Sequence, residues 1–526
     1  MKLKHISALI LLMIVAASFI GCSNSSETDT DSSEEASESN HNYEDEMDIA
    51  VTAQPPTLDS AMTVSQVALD IGGNVFETLV TLNEDYETVP MLAESIDVSE
   101  DGKTYTFNLR EGVQFHNGEE MNAEDVVASM NRWLEVSSRA NNLLSDANFE
   151  EEDTYTVVLN LEESSSDVLT IMAAQTQFPA IMPKEVIESA DSEGVSEYIG
   201  TGPFKLEEWK QDQYIHLVKY EDYQALEQES SGFAGKKEAF VNDVYYHFVT
   251  DHSTRISGIQ TGEYDIVDNV PIENYEQLNT MDNVNVHPYA GGTLTMFFNT
   301  NEGPLANVEM RQVVNTALNM DEIMLASYVD EELFSLDPGY MNPDQTQWQT
   351  DAGSSTYNQG DLEKSKTMLE ETGYNGEEIT LLTTSDYAEM YDATIVVQEQ
   401  LRQLGMNVEV ANFDFPTFLE RKNDPEQWDI FITSNGYNLT PPQLLAVTSD
   451  WAGLEDEKVT ELLEKIRGAE SDEEASEHWK TLQGHLYDNL SSTVIGHYNS
   501  LVATSDKLED FDVFEAPIIW NTKVIE

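Results

Sequence analysis

Ninety-nine carboxylates, ten histidines and one cysteine are the residues of this chain that could hold a metal, move a proton or attack a bond. Their spacing decides between these uses. The histidines are scattered, with no His-x-His or His-x3-His pair, so zinc has no ligand framework. The Asp-rich stretches lack the Asp-x-Asp-x-Asp-Gly order with a closing Glu that a calcium loop requires. No Gly-x-Ser-x-Gly elbow, phosphate loop, His-Glu-x-x-His or cysteine nucleophile occurs. Carboxylates this abundant can always be paired on paper as acid and base, so their number carries no catalytic meaning. The sequence predicts no enzyme, no metal and no cofactor, which leaves a binding cleft between lobes as the place for function.

Charge excludes a second class. The 99 Asp plus Glu oppose 25 Lys plus Arg, a formal net charge of -74, with no basic stripe to neutralise phosphates, so nucleic acid is not a partner. Such an excess reads as a hydrated surface suited to salty or alkaline surroundings. At 526 residues, with 40% apolar residues, the chain is long enough for more than one lobe.

The only cysteine, Cys22, closes a leader: Lys2 and Lys4, an apolar run from Ile6 to Ile20, then Gly21. That is a secretory signal layout, too short to span a bilayer comfortably. Residues 23–47 are Ser, Thr, Asn, Asp and Glu with almost nothing apolar, a tether whose ~25 residues reach about 25 to 30 Å.

Alternation and helical spacing place the elements of the remainder. Val67, Ile71, Val75 and Leu79 mark one face of a helix over 64–79. Residues 93–115 read as two strands around a Glu-Asp-Gly turn, with Tyr105, Phe107 and Leu109 on the buried side. Asn122 is placed to cap a following helix. A helix is expected over 183–198, and Gly200 and Gly202 as turn residues before a strand. The extended run 293–301 divides the chain. Beyond it are expected a helix over 307–329, a helix over 361–371 ending at Gly373, and alternating strands and helices to a long helix over 472–489. The fold class is α/β with two lobes.

The segments AESIDVSEDGKTYTFNLREGVQFHNGEEMNAEDVVASMNRW, GTGPFKLEEWKQDQYIHLVKYEDY, RISGIQTGEYDIVDNVP and FFNTNEGPLANVEMRQVVNTALNMDEI resemble those of the oligopeptide- and dipeptide-binding proteins (family 5) of ATP-binding-cassette importers. Phe19-Ile20-Gly21-Cys22 resembles a lipoprotein processing box, which implies a lipid on Cys22 and a protein held at the outer face of the cell membrane. The resemblance implies the large, three-subdomain form of the two-lobed hinged periplasmic-binding-protein fold. Lobe I would be 48–290 and 498–526, with an inserted subdomain at 87–199, and lobe II 291–497. Hinges are expected near 291–297 and 494–501, with Gly291, Gly292 and Gly496 absorbing rotation. A monomer, an importer's permease as partner and a short extended peptide as guest are also implied.

One segment departs from the family. After WDIFIT, where peptide binders commonly carry an Asp-containing turn, stands SNGYNLTPPQLLA, so residues 434–443 offer amides and hydroxyls but no carboxylate. The contact candidates are Asn435, Tyr437, Asn438 and Thr440 on that loop, Thr57 on a first-lobe turn, and Trp520. The amide-rich loop and Trp520 keep open an oligosaccharide, glycoside or other solute as the guest. A surface hydrolase is the third reading, and the lack of a nucleophile or metal signature counts against it.

Overall fold

A computed structural model describes residues 42–448, 451, 456–469 and 471–526. The leader, Cys22 and the tether up to residue 41 lie outside the described residues. Residues 42–526 form one compact unit. Its first strand, Glu46–Val51, begins two residues before the expected start of globular sequence, and Glu44 N–H already donates to Val524 O at 2.7 Å.

The main sheet runs through two long strands, Val284–Phe298 and Ser492–Ser505, which lie side by side and antiparallel from Val284 opposite Ser505 to Phe297 opposite Ser492. At about 3.3 Å per residue the longer strand spans roughly 50 Å, enough to serve both lobes. On one side of this pair stand Ile266–Val267, Glu46–Val51, Asp243–Phe248, Tyr214–Lys219 and Phe204–Lys210; on the other, Ile430–Gly436, Glu378–Thr384 and Asn407–Phe413. Burial along Val284–Phe298 changes partway: residues 285–291 are half-buried or exposed, whereas every residue from Gly292 to Phe298 is buried. The register also shifts between Ala290 and Gly292.

A separate four-stranded antiparallel sheet, Ala93–Val98, Thr104–Leu109, Thr156–Asn160 and Asn148–Asp153, is covered by the helix Ala123–Val136. Tyr105, Phe107 and Leu109 are buried and their neighbours half-buried, as alternation predicts. Asn122 caps the helix through a reciprocal pair with Asp125. The helix also delivers Arg132 to Asp59 (3.2 and 2.5 Å), which ties this sheet to the first lobe.

Three expectations are corrected. The helix foreseen over 183–198 is only Lys184–Ser189, because Ala190 leaves helical geometry and the chain goes on through a turn in which Asp191 pairs with Gly194. The helix foreseen over 307–329 is two, Val308–Ala317 and Met320–Tyr328, because the Asn319 side chain caps the second and starts it afresh. Gly200 and Gly202 are not left-handed turn residues. A Cβ on Gly200 would lie 2.1 Å from Val75 O and one on Gly202 2.4 Å from Asn74 O, so glycine is needed for close approach to the end of the helix Gln66–Val75. The helices Leu362–Thr372, with Asp361 capping it and Gly373 left-handed, and Asp472–Asn489 match expectation closely.

Candidate functional site

A cavity of about 200 Å³ opens where the strand Val284–Phe298 crosses. Ala290 and Gly291 of that strand border it, with Gly436 and Tyr437 from the end of Ile430–Gly436 on one side and the helix Gln66–Val75 on the other. Phe233, Lys237 and residues 515–517 with Trp520 also line it, and Tyr86, Met91, Gln175 and Thr176 close it further. Aromatic walls and a few converging polar groups are the usual make-up of a small-molecule site.

Four acidic or basic side chains line this space. Asp70 lies in the helix Gln66–Val75, whose apolar face Val67, Ile71 and Val75 is buried, so the same turn that packs the core presents the carboxylate to the cleft. Its Oδ1 accepts from Gln66 Nε2 at 2.6 Å; burial, and then the neighbouring Asp268 carboxylate, hold its pKa well above the ordinary range. Glu77, just past that helix, is buried and doubly satisfied, accepting from Thr201 Oγ1 at 2.9 Å and Tyr223 OH at 2.8 Å. Lys237 is 3% exposed. Its Nζ lies 4.3 Å from the centroid of the Trp520 ring and 4.0 Å from Met91 Sδ, and burial lowers its pKa against the opposing pull of Glu77. Glu515 sits between the short paired strands Asp512–Phe514 and Ala516–Ile518 with φ 53°, a left-handed backbone uncommon for a side chain of this size. Burial pushes its carboxyl up to about 7, with Arg139 pulling the other way.

Of the residues singled out from sequence, Tyr437 and Trp520 line the cavity together although 83 positions separate them. The Tyr437 hydroxyl lies 2.8 Å from His497 Nδ1. Trp520 packs against Phe233, ring centres 6.4 Å apart, and its Nε1–H has no partner among the described residues. The other four do not line it. Thr57 Oγ1 is 3.2 Å from Tyr198 OH and accepts from Asp59 N–H. Asn435 is a strand residue opposite Thr293, Asn438 O accepts from Gln345 Nε2, and Thr440 borders a smaller crevice with Trp348 and Arg467. Asp70, Glu77, Lys237 and Glu515 escaped the sequence reading.

Beyond the cavity, residues 342, 443 and 467 meet residues 86, 139, 143 and 166 in a set of polar contacts. Asn342 Nδ2 donates to Tyr86 OH at 2.9 Å, Arg139 Nη2 to Gln443 Oε1 at 3.1 Å, Ser166 N–H to Arg467 O at 2.8 Å and Arg467 Nη2 to Leu143 O at 2.7 Å. Among the described residues no cluster of His, Cys, Asp and Glu could hold a metal, and no helix is long and apolar enough to cross a membrane.

The sequence pattern described as "Bacterial extracellular solute-binding proteins, family 5 Middle" matches residues 87–450. The probable peptide ABC transporter periplasmic-binding protein y4tO of Sinorhizobium fredii is 27% identical over 85% of this chain and 87% of its own length. The dipeptide-binding protein DppE of Bacillus subtilis is 28% identical over 70% of each. Among solved structures, the ABC transporter substrate-binding protein CtaP of Listeria monocytogenes superposes with a TM-score of 0.78 over 89% of this chain and 95% of that one, at 23% identity. That likeness supports the two-lobed fold.

Proposed function

This chain belongs to the bacterial extracellular solute-binding proteins of family 5, binding proteins and not enzymes, and from that premise we propose that it captures short peptides between its lobes and delivers them to the permease of an ABC importer. One observation carries the reading: strand backbone from both sides of the crossing, Ala290 and Gly291 with Gly436, borders a cavity closed by Tyr437 and Trp520. A guest lying there in extended form can add to those strands through its main chain, which provides affinity without reading side chains. The volume of about 200 Å³ lies below the usual ligand-site range of roughly 300–1,000 Å³, which favours a guest of two or three residues. Buried charges on the wall favour a charged guest over a neutral sugar, since an uncompensated buried charge is costly.

The finer placement belongs to the same proposal. Lipid on Cys22 anchors a monomer at the outer face of the cell membrane, the acidic tether keeps the body off anionic headgroups, and the acidic surface suits salty or alkaline surroundings. Calorimetric titration with di- to pentapeptides, alongside maltotriose, tests the reading. Saturable heat with peptides and none with the sugar is expected. Saturation by the sugar alone, or by nothing in the peptide set, overturns peptide capture.

A further inference from the structure

Acid on the outside of this molecule is explained by hydration; acid inside the cleft is not. A carboxylate pays for leaving water unless something positive meets it. Three line the cavity, Asp70, Glu77 and Glu515, against one ammonium, Lys237. Glu77 is satisfied by Thr201 and Tyr223 and stands in the electrostatic reach of Lys237. Among the described residues Asp70 is met only by the neutral amide of Gln66, and a second acid, Asp268, lies close enough to raise its pKa, with Arg255 opposing Asp268 electrostatically while donating its hydrogen bonds to backbone carbonyls. Glu515 feels Arg139 from outside the cavity, yet the Arg139 guanidinium gives its hydrogen bond to Gln443, and Glu515 makes no ion pair among the described residues. Two carboxyl groups on the wall are therefore left without a cation among the described residues, and a cationic guest would find both free to pair with it.

An independent observation indicates where an anion goes. Lys237 is 97% buried by its 3% exposure, is capped by the Trp520 ring, and pairs with no carboxylate among the described residues. Trp520, 4% exposed, has an indole N–H that donates to nothing. Both line the cavity: the ammonium has only the weak acceptor Met91 Sδ and the ring face, and the indole N–H has no acceptor among the described residues. The left-handed backbone at Glu515 adds a strained position at the same wall, as is common where a side chain is held for a ligand.

We propose that the site selects short peptides carrying a basic side chain, the free carboxylate received by Lys237 and the Trp520 N–H, and the terminal ammonium and side-chain cation divided between Asp70 and Glu515. This rests on the peptide reading and specifies which peptides. It also supplies the amine's counter-charge from the first lobe, where the 434–443 loop has none.

The test is calorimetric titration of the mature chain with Ala-Ala, Ala-Lys, Lys-Ala, Ala-Glu, the corresponding alanine-flanked tripeptides, and each lysine peptide as its C-terminal amide. The better lysine peptide is expected to bind at least tenfold more tightly than its alanine counterpart, with the glutamate peptide weakest. Amidation should weaken the lysine peptide at least tenfold in the wild type and by less than threefold in Lys237→Met. Asp70→Asn and Glu515→Gln should each narrow the lysine preference. The wild-type comparison stands even if a variant fails to fold, which its thermal unfolding reveals. Equal binding of alanine and lysine peptides, or of acid and amide, overturns this selectivity and leaves peptide capture intact. If no peptide saturates, peptide capture falls and the selectivity with it.

Discussion

The imidazole of His497 is walled off from water beside Tyr437, and burial holds its pKa down to about 4, against an ordinary 6.5. The unfolded chain takes up that proton as pH falls below 6.5, the folded chain only near 4. Its contribution to stability is thus complete above pH 6.5 and is lost as pH falls from 6.5 to 4, on the order of 3 kcal/mol over the interval. Glu515, raised to about 7, and Asp265, raised to about 6, act with the opposite sign, so the difference between proteins is the informative quantity. His497→Gln should lose about 3 kcal/mol less than wild type between pH 7 and pH 4 in denaturant melts; parallel pH profiles would exclude this account. At this scale the sequence was only partly readable. Tyr437 stands out because its loop departs from the family's Asp-containing turn, and Trp520 because its ring offers a flat apolar face to a guest. Asp70, Glu77 and Glu515 are three among 99 acids, and Lys237 follows Lys236 in a Gly-Lys-Lys run that reads as surface. Burial set by residues far apart in the chain distinguishes them, and spacing does not encode it.

Elements were more legible, since their signals are local. The alternation of Tyr105, Phe107 and Leu109, the Asn122 cap and the Gly373 terminator are each complete within a few residues. Errors arose where a cap interrupts a continuous helical pattern, as at Asn319, or where glycine is demanded by a neighbour and not by its own torsion, as at Gly200. The glycines expected at the hinges are pressed by their neighbours in the same way, and Gly292 is held in addition by a φ of 159°. A Cβ on Gly292 would lie 1.9 Å from Asn435 O, one on Gly291 2.6 Å from the Tyr498 ring, and one on Gly496 2.8 Å from Met324. Gly292→Ala should accordingly cost about 1–3 kcal/mol in chemical denaturation by forcing the crossing strand away from Ile430–Gly436. A stability unchanged within about 0.5 kcal/mol would show that the strands separate freely there.

For the molecule as a whole, a formal charge of -74 makes self-repulsion a term in folding as well as in solubility. Screening lengths fall from about 30 Å at 0.01 M salt to about 3 Å at 1 M, so the melting temperature should climb steeply with potassium chloride over that range. A flat profile would mean that the charges are too dispersed to oppose compaction. The rim of the cleft has its own bearing on timing. Tyr86 with Asn342, Arg139 with Gln443, and Ser166 and Leu143 with Arg467 must part together before a guest can leave, although water replaces each of these hydrogen bonds once they are apart. Such contacts add little to the equilibrium between open and shut forms and more to the barrier separating them. They lengthen the dwell time of the cargo, so that unloading is governed by whatever pries the lobes apart.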